Sequence, residues 1–194
     1  DHGLPAVNAA RSQLGLPEIS TVLQQVEAAR MILIGISRHF DFAPEEDTPG
    51  FRYVGPQLDD PTWAQDWTPA WPVDNGRPFV LVSFSTTFQN HAAVLQRVID
   101  ALATLPVNGL VTLGPMILPE ELIPAPNVQL VQSAPHNAVM KQASLVVTHG
   151  GHGTVARAMV NRLPMLIMPQ GRDQNRNADR IAAHGAGLGL PPDA

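Results

Sequence analysis

Residues 144–148 form an apolar, β-branched run that leads straight into glycines at 150, 151 and 153, and then into Val155, Ala158 and Met159 at helical spacing. A buried strand, a tight turn and a helix in so short a stretch leave few folds open, and a strand–turn–helix unit of an α/β sheet is the natural one. Glycine lets the turn backbone come close to a ligand. The first-turn N–H groups of the helix are unpaired and carry the positive end of its dipole, so the junction suits an anion such as phosphate. Glycines that merely build a tight turn are the simpler alternative. His149 and Thr154 add side-chain donors and favour a site. Neither the G-x-G-x-x-G fingerprint nor the P-loop lysine is spelled here, which argues against a simple dinucleotide or nucleoside triphosphate site. No metal site is expected: His149 and His152 lie three apart, no cysteine exists, and no third ligand is evident.

The same alternation recurs from residue 79 onward. Apolar runs at 79–84, 110–113, 128–131, 144–148, 165–168 and from 188 read as strands. Between them, 92–105 reads as a helix with Val94, Leu95, Val98, Ile99 and Leu102 on one face. Shorter helices are expected at 137–142 and 155–159, and another from Asp173, a candidate cap, to His184, where Gly185 ends it. Strands that are apolar throughout, alternating with helices, predict a Rossmann-like α/β fold with a parallel sheet covered on both faces. Right-handed crossovers then gather the loops 85–90, 132–137, 149–154 and 169–175 at one edge.

Before residue 79 the pattern is different. Residues 17–29 carry Ile19, Val22, Leu23 and Val26 at helical spacing, and strands are expected at 31–37 and 51–54. One helix and two strands cannot enclose a core, so 1–56 is expected to be the tail of a preceding domain. Residues 57–78, punctuated by prolines and aspartates, read as an interdomain linker, and 79–194 as a ligand-binding domain. Trp63, Trp67 and Trp71 recur every fourth residue and are expected to pin the linker down rather than stack on a ligand. The chain opens on Asp1 and not on Met, which suggests a segment of something longer.

A net charge of −5 gives no broad basic surface for nucleic acid. With 44% hydrophobic and 15% charged residues the chain is expected to be globular. No apolar run approaches the ~20 residues needed to span a bilayer, and no signal peptide is evident. The absence of cysteine is compatible with the cytoplasm, the expected location.

VSFST at 82–86, APHNAVM at 134–140, VTHGGHGTVARAM at 147–159 and LPMLIMPQGRDQNRNADRIAAHGAGLGL at 163–190 together resemble the donor-binding half of GT-B glycosyltransferases. The likeness is to the macrolide and antibiotic glycosyltransferases, relatives of the UDP-glycosyltransferases. NAARSQLGLP and FRYVGP, within residues 1–56, resemble the end of that family's N-terminal, acceptor-binding domain. The resemblance implies inverting transfer of a sugar from a nucleoside diphosphate sugar to a small-molecule hydroxyl, in natural product biosynthesis and without a cofactor. It implies that Thr86, His149, Gly151, Gly153 and Thr154 bind the donor diphosphate, that Ser133, Ala134 and Arg157 lie at the nucleoside, and that Asp173 and Gln174 hold the donor sugar. Partners implied are the nucleotide sugar, the acceptor and the N-terminal domain; that domain would supply the catalytic base, so no catalytic residue is expected here and the segment alone is expected to be inactive. Two positions depart from the family. Ser133 replaces a tryptophan that stacks on uracil, and Arg157 replaces a glutamate that grips the ribose hydroxyls, so TDP-sugars fit as well as UDP-sugars. A non-catalytic nucleotide-binding module and a sugar-nucleotide epimerase of related fold are the alternatives.

Overall fold

The computed structural model describes residues 3–46, 48–60, 62, 66–72, 75–84, 92–191 and 193. Thr86, the rest of the loop 85–90 and Trp63 lie outside the described residues. Backbone contacts divide the chain into two units, Asp1–Gly55 and Pro56–Ala194.

The first unit holds helices α1 (Leu4–Gln13) and α2 (Gln24–Glu27) and strands β1 (Ile32–Ile34) and β2 (Phe51–Tyr53). The strands pair in parallel, with Ile32 opposite Phe51. The helix expected over 17–29 shrinks to the single turn α2, and a helix not anticipated from the sequence occupies 4–13. Asn8 explains the first change. Its carboxamide accepts the Ile19 N–H and donates to the Ile19 carbonyl, each at 3.0 Å, which ties up the backbone groups a helix through residue 19 would need. Leu23 and Val26, assigned to an apolar face, are exposed. Among the described residues of this unit only Phe40 is buried.

The second unit carries β3 (Phe79–Ser83), α3 (Ala92–Ala103), β4 (Asn108–Thr112), β5 (Val128–Val131), α4 (His136–Met140), β6 (Leu145–Thr148), α5 (His152–Val160), β7 (Met165–Ile167), α6 (Gln174–Ala183) and β8 (Gly187–Gly189). A short 3₁₀ turn, Pro119–Glu121, precedes β5. The six strands form one parallel sheet in the order β5-β4-β3-β6-β7-β8. This is the doubly wound arrangement that the alternation implied. Strands β3 and β4 are buried at every position, as a central strand covered on both faces must be. Val80, Val82, Val111 and Val147 pack in one cluster with Val94, Leu95, Val98, Ile99 and Leu102 of α3. Leu81, Leu110, Val146 and Ile167, of opposite parity, are fully buried as well. Helix α6 ends in a Schellman turn, in which the Ala186 N–H bonds the Ile181 carbonyl and the Gly185 N–H bonds the Ala182 carbonyl, each at 3.0 Å.

Residues 67–71 lie against the amino-terminal ends of β3 and β5. Trp67 and Trp71 lie on the Phe79 ring with centroids 5.5 Å away in both cases, and Trp67 Nε1 donates to Gln129 Oε1 at 3.1 Å. These two tryptophans anchor that stretch to the start of β3. Among the described residues, no helix is long and apolar enough to cross a membrane.

Candidate functional site

The chain winds from β3 outward through β4 and β5, then returns past β3 to build β6, β7 and β8 on the other side. The carboxyl ends of β3 and β6 are therefore neighbours whose following helices diverge, and a crevice opens between them. A cavity of about 420 Å³ lies there, within the usual range for a small-molecule site.

Its floor is set by the turn after β6. Gly150 has φ +90°, a conformation closed to most side chains, and a Cβ there would lie 2.7 Å from Ile167 Cγ2. Three polar contacts hold the turn: Thr148 Oγ1 accepts the Gly150 N–H at 3.3 Å, and buried Asn177 donates Nδ2 to the Gly150 carbonyl at 2.9 Å and to Asp173 Oδ2 at 3.1 Å. His149 is consequently 8% exposed, its ring 6.1 Å from that of Phe84 and its Nδ1 3.4 Å from Thr148 Oγ1. Its Nε2 lies 2.5 Å from where a Cβ on Gly151 would stand. Glycine at 151 is required because the imidazole occupies a side chain's place, and the ring is thereby brought over the residue that caps α5. The Thr154 and Val155 N–H groups both point to the Gly151 carbonyl at 3.1 Å.

Two walls complete the cavity. On one, His136 Nε2 is 3.3 Å from buried Ser83 Oγ, and burial, with a smaller contribution from the nearby Arg157 charge, holds its pKa below the ordinary 6.5, Asp60 opposing. On the other, Arg157 lies along α5. Its Nη1 donates to the Gly153 carbonyl at 3.0 Å and its Nη2 to the Asp59 carbonyl at 2.5 Å. A solvated surface charge at 157 is thus not what the fold makes.

Of the residues singled out from sequence, Ser133, Ala134, His149, Gly151, Gly153, Thr154 and Arg157 all line this cavity. Asp173 and Gln174 do not. Gln174 is 3% exposed, with its Oε1 accepting the Gln170 N–H at 2.6 Å, and Asp173 is exposed. Asp173 does precede α6, but its side chain makes no cap bond to the helix backbone; the carboxylate takes Asn177 instead, one turn on. The sequence reading missed Asp59, Asp60, Ser83 and His136, all of them in the lining. His136 could have been found within APHNAVM; the two aspartates had no signal beyond a proline-rich stretch.

Residues 96–194 match the family described as Erythromycin biosynthesis protein CIII-like, C-terminal domain. The chain is 30% identical over 188 residues to the 4′-demethylrebeccamycin synthase of Lentzea aerocolonigenes, covering 94% of this chain and 44% of that protein. It superposes on the crystal structure of the glycotransferase of kitacinnamycin with a TM-score of 0.77 at 24% identity, over 100% of this chain and 50% of the other. The glycosyltransferase VinC, crystallised in complex with dTDP, gives a TM-score of 0.54 at 26% identity over 66% of this chain and 33% of its own. The chain spans less than half the length of the curated relatives it matches.

Proposed function

The chain belongs to the Erythromycin biosynthesis protein CIII-like C-terminal domain family, and from that premise we propose that Pro56–Ala194 binds the nucleoside diphosphate sugar donor of a glycosyltransferase acting on a small-molecule acceptor. The observation that carries it is the corner where buried His149, held over Gly151, meets the amino terminus of α5 at the sheet's switch point. Residues Asp1–Gly55 would then be the end of the acceptor-binding domain, and the catalytic base would lie elsewhere in the enzyme.

In this reading the acceptor oxygen attacks the anomeric carbon from the face opposite the diphosphate, which leaves with the electron pair of the broken C–O bond, so the configuration inverts. Negative charge grows on the departing diphosphate. The Gly153 amide, the positive end of the α5 dipole and the His149 imidazole face that charge and lower the barrier electrostatically, with the Thr154 hydroxyl beside them. In this proposal those donors take the place of any cofactor. Thr86 and the sugar-contacting pair Asp173 and Gln174 remain part of the proposal, the pair at the start of α6 behind the same turn.

Both UDP and TDP suit the site, because Ser133 and Arg157 supply neither the aromatic platform nor the ribose-binding glutamate of the UDP-sugar enzymes. The likeness to VinC, solved with dTDP, supports the thymidine nucleotide. Isothermal titration of the whole chain with UDP and TDP tests the proposal. Saturable binding of at least one, weakened about tenfold or more in His149→Ala, is expected. Failure of both to bind, or equal affinity in the variant, refutes it.

A further inference from the structure

Arg157 brings a cation to the cavity wall, and a carboxylate stands within reach of it. Both oxygens of Asp60 accept the Asn137 N–H, at 3.3 and 3.2 Å, and Oδ1 lies 3.9 Å from Arg157 Nε. The two residues before it are held in the same way: Asn137 Nδ2 donates to the Leu58 carbonyl at 2.7 Å and Arg157 Nη2 to the Asp59 carbonyl at 2.5 Å. Residues 58–60 are thus strapped across α4 and α5, and the Asp60 side chain, 22% exposed, lines the cavity with Ser133, Ala134 and Arg157.

An ionised carboxylate offers about four lone-pair directions and no donor. One N–H and a guanidinium 3.9 Å away leave acceptor capacity over, and a hydroxyl is the ligand group that fills it. With Arg157 beside Asp60 this wall carries little net charge, whereas the amino terminus of α5 beside His149 suits a diphosphate. That arrangement favours one orientation of a nucleotide: phosphates at the turn after β6, ribose toward α4.

We propose that Asp60 accepts the ribose 3′-hydroxyl of the bound nucleotide, and that Arg157 is a positioning residue that holds Asp60 in place. The inference rests on the donor-site reading above and deepens it, and it holds for uridine and thymidine nucleotides alike because both carry that hydroxyl.

The test is a cycle of titrations with UDP, TDP and their 3′-deoxy analogues against the whole chain, Asp60→Asn, Arg157→Gln and His149→Ala. Removing the 3′-hydroxyl is expected to weaken binding to the unaltered chain about tenfold. In Asp60→Asn, which keeps an acceptor but loses the charge, the parent nucleotide weakens severalfold and the penalty for the missing hydroxyl shrinks; Arg157→Gln shrinks the same penalty and serves should Asp60→Asn not fold. If the ratio of parent to 3′-deoxy analogue is the same with and without Asp60, the inference is wrong while donor binding stands. If neither parent nucleotide binds the unaltered chain, or His149→Ala leaves affinity unchanged, the donor-site reading fails and this one with it.

Discussion

At their amino ends, strands β3 and β4 are bordered by aromatic rings and by polar groups that find one another. Asn75 and Asn108 exchange hydrogen bonds at 3.2 and 3.1 Å, Trp67 and Trp71 cover Phe79, and the Gln129 carboxamide oxygen takes both Trp67 Nε1 and the Ala70 N–H at 3.1 Å. The polar groups in this set pair with one another. At the carboxyl ends of the same strands the polar side chains instead border the cavity: Ser83, Thr112, His136, His149 and Arg157. Both ends carry paired polar groups, but the hollow at the carboxyl ends, about 420 Å³, is larger than the two of about 270 Å³ beside the amino ends and is bordered by His149 and the start of α5. Paired polar groups specify a fold at modest net gain, whereas donors aimed into a hollow gain their full value only when a ligand arrives.

That contrast can be broken from either side. The largest effect is expected from Gly150→Ala, which forces a side chain into φ +90° and toward Ile167 Cγ2. Urea unfolding should show a loss of about 3 kcal/mol, and nucleotide binding should fall with it. Next, Trp67→Ala at the amino end should cost about 2 kcal/mol of stability by uncovering one side of Phe79 and removing one of the two donors to the Gln129 oxygen, yet leave nucleotide affinity within twofold. Impaired binding in a folded Trp67→Ala protein would show that the two ends are not independent. Asn108→Ala removes the buried partner of exposed Asn75 and should cost about 1 kcal/mol, again with affinity intact.

The smallest effect concerns pH. The folded state holds the His136 pKa below 6.5, so the unfolded chain binds the proton more readily. Stability from this group is therefore full above about pH 6.5 and declines as pH falls below it. Thermal melts between pH 7.5 and 5 should shift downward in the unaltered chain and shift less in His136→Gln, which can still meet Ser83 Oγ. An identical slope in the two proteins would assign the decline to other groups.

The sheet was legible because each of its strands is a short apolar run set off by helix or turn signals, and α3 because Val94, Leu95, Val98, Ile99 and Leu102 mark one face. The turn after β6 was legible for a local reason as well: strand, glycines and helix follow one another directly. Misreadings came where distant residues decide. Asn8 rewrote the backbone at Ile19 from eleven positions away, and Asp59 meets Arg157 across 98. Neither pairing leaves any periodicity. Asp173 was read by the usual preference for aspartate before a helix, but Asn177 lies within reach and supplies a side-chain donor in place of the helix amides.

Because the chain leaves β3 in one direction and returns on the other flank, the hollow between β3 and β6 is produced by backbone routing alone. Polar side chains decide who occupies it, while the vacancy would persist through wholesale replacement of those side chains. A designer could accordingly re-equip this crevice for an unrelated anionic metabolite by editing its rim, provided the winding order and the kinked glycine beneath His149 are left untouched.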